Sequence, residues 1–194
     1  MGALPVVKLT VQEYFALDAA SERPLEYHDG EIFQMVDATP QHARISSNTT
    51  FSLAKRLEGT PCFGNTNLNI RTTGRNYVVP DITVVCGNVI PSPESRNSVV
   101  NPKLIVEILS PSTADFDHGG KFDLYCQLPT FEEYVLIAQD KPKVEVFTKE
   151  SETRWILTKY DGIEATIRLE SLNLDLPAAE IYTGVEFPPP QAQV

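Results

Sequence analysis

The chain has 194 residues, 42% hydrophobic and 22% charged, with 26 acidic against 16 basic side chains and a formal net charge of −10. That length suits one domain with one sizeable core. No apolar run approaches the roughly 18 residues that span a bilayer, and the N-terminus lacks the pattern of a signal peptide, so a cytoplasmic protein with no membrane partner is expected. Acidity on this scale counts against a broad phosphate-gripping face, leaving Arg71, Arg75, Arg96 and Lys103 as the candidates for a local positive patch.

Thr10 and Glu13 have capping-box spacing, which predicts a short helix carrying Val11, Tyr14, Phe15 and Leu17. Asp29-Gly30 favours a tight turn, so Leu25–His28 should pair with Glu31–Val36 as a hairpin that carries Glu26. From Pro40 to Glu58 the spacing of Ile45, Phe51, Leu53, Ala54 and Leu57 predicts a helix stopped at Gly59. Two hairpin-like pieces, Thr66–Arg71 and Asn76–Val79, flank Thr73-Gly74, and the apolar strand Ile82–Cys86 follows.

Lys103–Leu109 reads KLIVEIL, the pattern of a strand buried on both faces. Lys121–Leu128 resembles the middle and end of a helix that Pro129 stops. Phe131–Ala138, Lys143–Lys149 and Arg154–Tyr160 alternate as in an antiparallel meander, to which Ile163–Leu169 is a candidate addition. The expected domain is 1–187, with 188–194 a loose tail. Cys62, Cys86 and Cys126 are odd in number and lack C-x-x-C spacing, so reduced buried thiols are expected, without a disulfide.

Two carboxylates stand where carboxylates are costly. Asp81 opens the apolar strand ITVVC directly after Pro80, and Glu107 lies inside LIVEIL. On neighbouring strands they would converge on one hard cation such as Mg²⁺, the equipment of metal-assisted phosphodiester hydrolysis. Structural alternatives exist for each residue. Asp81 would merely end a strand, Glu107 would pair with a buried cation, Glu26 would sit exposed on its hairpin, Lys121 would face solvent and Tyr125 would be core. His28, His42 and His118 lack short-range ligand spacing and are expected in structural or surface roles.

Pro80-Asp81, Glu107 within VEILSPST, and D-x-x-x-x-x-K-x-x-x-Y from Asp115 to Tyr125 resemble the Uma-two family of the PD-(D/E)xK nuclease superfamily. The likeness runs from TVQEY at Thr10 through EYHDGEIFQM, His42 and FEEYVLI to the terminal strands. It implies an α/β fold of the restriction-endonuclease type, a central mixed sheet flanked by helices with an antiparallel C-terminal meander. Asp81 and Glu107 would hold Mg²⁺ or Mn²⁺, with Glu26 as a further ligand or water-orienting group. One departure is plain: the superfamily's lysine belongs two residues after the glutamate, where this chain has Leu109. Lys121 is the substitute, reaching the same space from the next helix, and Tyr125 shares its helix face.

The implied function is a metal-dependent endonuclease acting on nucleic acid, DNA first, as a homodimer because duplex cutting needs two sites. The competing readings are an inactive nuclease-fold module for binding or assembly, favoured by net acidity and Leu109, and a metal-dependent hydrolase of a small phosphorylated molecule.

Overall fold

The computed structural model describes residues 8–35, 38–110, 114 and 117–187. The expected tail and Asp115 lie outside the described residues.

The capping box forms: the Thr10 hydroxyl accepts from the Glu13 amide, and the Glu13 carboxylate accepts from the Thr10 amide, opening α1 (Val11–Ala20). The hairpin β1 (Leu25–His28) and β2 (Glu31–Gln34) turns at Asp29 and Gly30, both at positive φ (45° and 100°), the backbone that this dipeptide tolerates. Thr39 caps α2 (Pro40–Leu57), with Pro40 in its first turn, and Ile45, Leu53 and Leu57 on its buried side.

β3 (Cys62–Thr66), β4 (Asn69–Arg71), β5 (Tyr77–Val78), β6 (Ile82–Cys86), β7 (Ser98–Val99) and β8 (Leu104–Leu109) follow. The expected strand 66–71 is divided at Asn67, whose φ is 52°, so Thr66 belongs to β3 while β4 pairs with β5. A π-turn, Asp117–Lys121, leads into α3 (Phe122–Tyr125). The meander β9 (Glu133–Ala138), β10 (Lys143–Ser151) and β11 (Arg154–Asp161) forms as expected. β12 (Thr166–Leu169) does not extend it, pairing instead with β13 (Leu174–Pro177) ahead of α4 (Ala178–Ile181).

Two sheets organise the chain. One runs β2-β1-β5-β4-β7, the other β11-β10-β9-β8-β6-β3. In the second, β8 and β9 are parallel and their neighbours antiparallel, so the sheet is mixed as expected. A parallel pair needs a crossover, and the segment bearing the π-turn and α3 supplies it. Val11 and Tyr14 of α1 pack on Leu25, Tyr27 and Tyr77 at one face of the first sheet. Ile70, Val78 and Val99 meet Ile105, Tyr125, Phe131 and Leu136 between the two sheets. On the far face of the second sheet, Val106, Ile108, Val135 and Val146 bury against α2, α4 and the β12–β13 hairpin.

Cys62 and Cys86 stand directly opposite on β3 and β6 and are joined by a disulfide, correcting the expectation of three reduced thiols. The pairing depends on β3, a strand not expected from the sequence. Cys126 is free and half-buried. Among the described residues no helix is long and apolar enough to cross a membrane.

Candidate active site

β6 and β8 are antiparallel with Ile82 opposite Val106, so Asp81, one residue earlier, meets Glu107, one residue later. Val106 and Ile108 alternate into the α2-side core, which turns Glu107 to the opposite face, towards the crossover. The two carboxylates are cross-laced through backbone. The Ile108 amide donates to Asp81 Oδ2 at 2.7 Å, and the Asp81 amide donates to Glu107 Oε2 at 3.4 Å.

Glu26 arrives from the other sheet. Leu25 and Tyr27 pack towards α1, so alternation along β1 turns Glu26 inward, where Oε1 accepts from the Val79 amide at 3.0 Å. His28, two residues on, shares that face, its Nε2 3.3 Å from Glu26 Oε2. From the crossover, the Lys121 ammonium lies 3.1 Å from Glu107 Oε1, 3.2 Å from Glu26 Oε1 and 3.6 Å from Asp117 Oδ1. Tyr125, one helical turn further, donates its hydroxyl to Glu107 Oε1 at 2.9 Å. His42, in the first turn of α2, puts Nε2 3.2 Å from Asp81 Oδ2. Glu107, Lys121 and Glu26 are buried, at 3%, 8% and 6% exposure.

These side chains form the floor of a cleft of roughly 1140 Å³ walled by α2, the β1–β2 hairpin and the start of the crossover. Its lining includes Glu26, His42, Asp81, Glu107, Asp117 and Lys121. Another buried glutamate offers a contrast: Glu133 is satisfied by the hydroxyls of Thr148 and Ser171 and the amide of Glu170, so it fastens the 170–172 turn to β9 without a cation.

A family model described as "Putative restriction endonuclease", Uma2, matches residues 11–179. The chain belongs to the Uma2 family. Two uncharacterized proteins of Synechocystis sp. are similar to it across most of their length. For slr1290 the identity is 31%, over 94% of this chain and 96% of the relative; for sll1609 it is 30%, over 86% and 95%. The crystal structure of "a putative nuclease belonging to DUF820" from Anabaena variabilis superposes with a TM-score of 0.72 at 21% identity, over 90% of this chain and 97% of that one. That likeness shows the fold, a mixed α/β architecture with central sheets flanked by helices.

In this Uma2 chain burial acts on Glu107, Lys121, Glu26, His42 and Tyr125, but it sets the net direction only for Glu107 and Tyr125. Burial pushes the Glu107 carboxyl up to about 8, against the pull of Lys121 and with the push of Asp81, Asp117 and Glu26. Burial disfavours the Lys121 charge, but Glu107, Glu26 and Asp117 more than offset it, and its pKa stands above the usual lysine range. For Glu26 burial acts upward, and His28, Lys121 and the Val79 amide together bring the carboxyl below its ordinary value. Burial lowers His42, but Asp81 holds its proton more strongly, and the net direction is up. Tyr125 is raised well above the phenol range by burial first and by Glu107 second.

The structure therefore brings together Glu26, Asp81, Glu107, Lys121 and Tyr125. It adds Asp117, which sequence reasoning missed, and His42, which the family likeness included but which was expected in a structural or surface role. Asp117 sits four residues before Lys121, the i,i+4 spacing that could have revealed it. His42, expected in a structural or surface role, reaches Asp81 only through the packing of α2, and no local pattern announces it. Leu109 shares the Glu107 face of β8 but packs with the Tyr125–Phe131–Tyr134 core and is not among the cleft-lining residues. The anticipated basic patch does not line the cleft: Arg71 is engaged by Glu94 at 2.9 Å and Lys103 by Glu132 at 2.6 Å.

Proposed function

We propose that this Uma2 protein hydrolyses nucleic-acid phosphodiester bonds with a divalent cation held between Asp81 and Glu107. The observation that carries the reading is the pair of carboxylates facing each other across neighbouring strands, with an ammonium delivered beside them from the crossover. Hard oxygen donors, and four carboxylates against one buried ammonium, suit Mg²⁺ or Mn²⁺. Among the described residues no three His, Cys, Asp or Glu side chains form a complete metal cage, so two protein carboxylates would share the ion with water and substrate oxygens, as is usual for Mg²⁺. When bound, the cation would polarise the phosphoryl group and make its water acidic.

The chain's own residues do the rest. Lys121 is placed to neutralise charge on the scissile phosphate and to fix the attacking water, the task the superfamily gives to a lysine at the position of Leu109. Glu26 and Asp117 anchor its ammonium, Tyr125 fixes the rotamer of Glu107, and His42 holds Asp81 in place.

The test is thermal unfolding with EDTA, Mg²⁺ and Mn²⁺, alongside incubation with plasmid and oligonucleotides. The cations should raise Tm and support cleavage, and Asp81→Asn should remove both effects. A variant that keeps the full Mg²⁺ response would place the cation elsewhere and end this reading.

A further inference from the structure

The cleft has two features that its catalytic floor does not use. Phe33 on β2 and Phe51 on α2 are 49% and 73% exposed, yet both line this cleft, one from each wall. Large aromatic side chains left in water forgo the burial that normally stabilises them. Phe33 is also held in place, its ring meeting His28 edge-on at 5.0 Å and 90°, and His28 in turn contacts Glu26 on the floor.

Charge argues in the same direction. Among the described residues the Lys and Arg side chains in the lining are Arg23 and Lys121, and Lys121 is buried on three carboxylates. Duplex binders draw most of their affinity from many phosphate contacts, and two basic side chains among the described lining offer few of them. Its walls offer instead neutral hydrogen-bonding groups, among them Gln34, Ser47, Thr50 and Asn67, beside the two rings. At roughly 1140 Å³ the cleft also exceeds the usual size of a small-ligand pocket.

We infer that the cleft takes unpaired nucleic acid, a single strand or a frayed end, with bases stacked on Phe33 and Phe51 while the backbone runs down to Asp81 and Glu107. This rests on the phosphodiesterase reading above and adds the substrate class. Stacking needs only the π-face of a base, so it suits a protein of −10 net charge better than a grip on phosphates does.

The experiment is fluorescence anisotropy of an end-labelled oligonucleotide, as DNA and as RNA, single-stranded and as a blunt duplex, with Ca²⁺ in place of Mg²⁺. The single strand should bind more tightly than the duplex, with a shallow salt dependence. Phe33→Ala and Phe51→Ala should each weaken it by about tenfold or more. Phe51→Trp should restore binding and Phe51→Leu should not. Preference for duplex, alanine variants that bind like the parent, or leucine as good as tryptophan would each overturn the inference. So would a Phe51→Ala protein that changes oligomeric state with unaltered nucleic-acid binding, which would assign the rings to a second copy of the chain. These failures leave the Mg²⁺ response and its loss in Asp81→Asn intact, whereas a failure of the underlying reading removes them.

Discussion

Replacing Lys121 by Met removes the ammonium while keeping most of the stem. Its nitrogen lies 3.1 Å from Glu107, 3.2 Å from Glu26 and 3.6 Å from Asp117. At an effective dielectric constant of about 20 each contact with an ionised carboxylate carries about 5 kcal/mol of attraction, for Glu107 only above about 8, and most of it offsets the cost of burying the charges. Truncating one partner of a buried pair costs about 3–5 kcal/mol, which for a chain of this size lowers Tm by about 6–20 °C. The loss should depend on pH in a definite sense. Glu107 holds its proton up to about 8 when folded and near 4.5 in its ordinary state, so its proton favours the fold fully in acid, and that contribution is lost as pH rises through about 8. Without Lys121 the folded carboxyl climbs further, so the variant should approach the parent on the acid side and fall behind on the alkaline side. Mg²⁺ should recover part of the alkaline deficit. Urea unfolding on both sides of about 8, with EDTA or Mg²⁺, reads all three effects. A deficit independent of both pH and cation would show that Lys121 matters for packing and not for charge.

Glu145 is drawn down to about 2: burial opposes ionisation, and Lys143, His118 and Lys159 overcome it, at 2.6, 2.9 and 3.3 Å. Its contribution is present above about 4.5 and is lost as pH falls towards about 2, so Glu145→Gln should flatten the acid limb of a stability profile. Because His118 belongs to the π-turn, that variant should also weaken Mg²⁺-dependent cleavage at neutral pH without changing the cation's effect on Tm. The Cys62–Cys86 bridge closes a separation of 24 residues, so a reductant should cost about 3 kcal/mol of stability, seen as a lower urea midpoint; an unchanged midpoint would argue that the bridge does not constrain the unfolded chain.

What the sequence revealed was what local chemistry determines. The Thr10–Glu13 box and the Asp29-Gly30 turn each need only neighbours a few residues away, and both formed. β3 escaped notice because CFGNT carries a Gly and an Asn and no alternation of branched residues; its pairing with β6 sustains it. Missing β3 also concealed the disulfide. LDLP in β13 is short and ends in Pro, and only its partner β12 makes it a strand. For the site, Asp81 and Glu107 could be found because a carboxylate in an apolar strand is conspicuous. His42 could not, since its contact with Asp81 arises from α2 packing over the sheet, and Asp117 was marked only by its i,i+4 spacing to Lys121.

The parallel pairing of β8 with β9 bears on how such proteins are recognised at all. Chain leaving the end of β8 cannot turn back and must traverse the face on which Glu107 lies before it can start β9. A long cationic side chain on that path reaches the same place when its turn faces the sheet, as Lys121 does and His118, which turns to Glu145, does not. A pattern search that insists on lysine two positions after the acid would discard this chain at Leu109. A search that asks for a basic residue followed four positions later by tyrosine, anywhere within the crossover, would retain it.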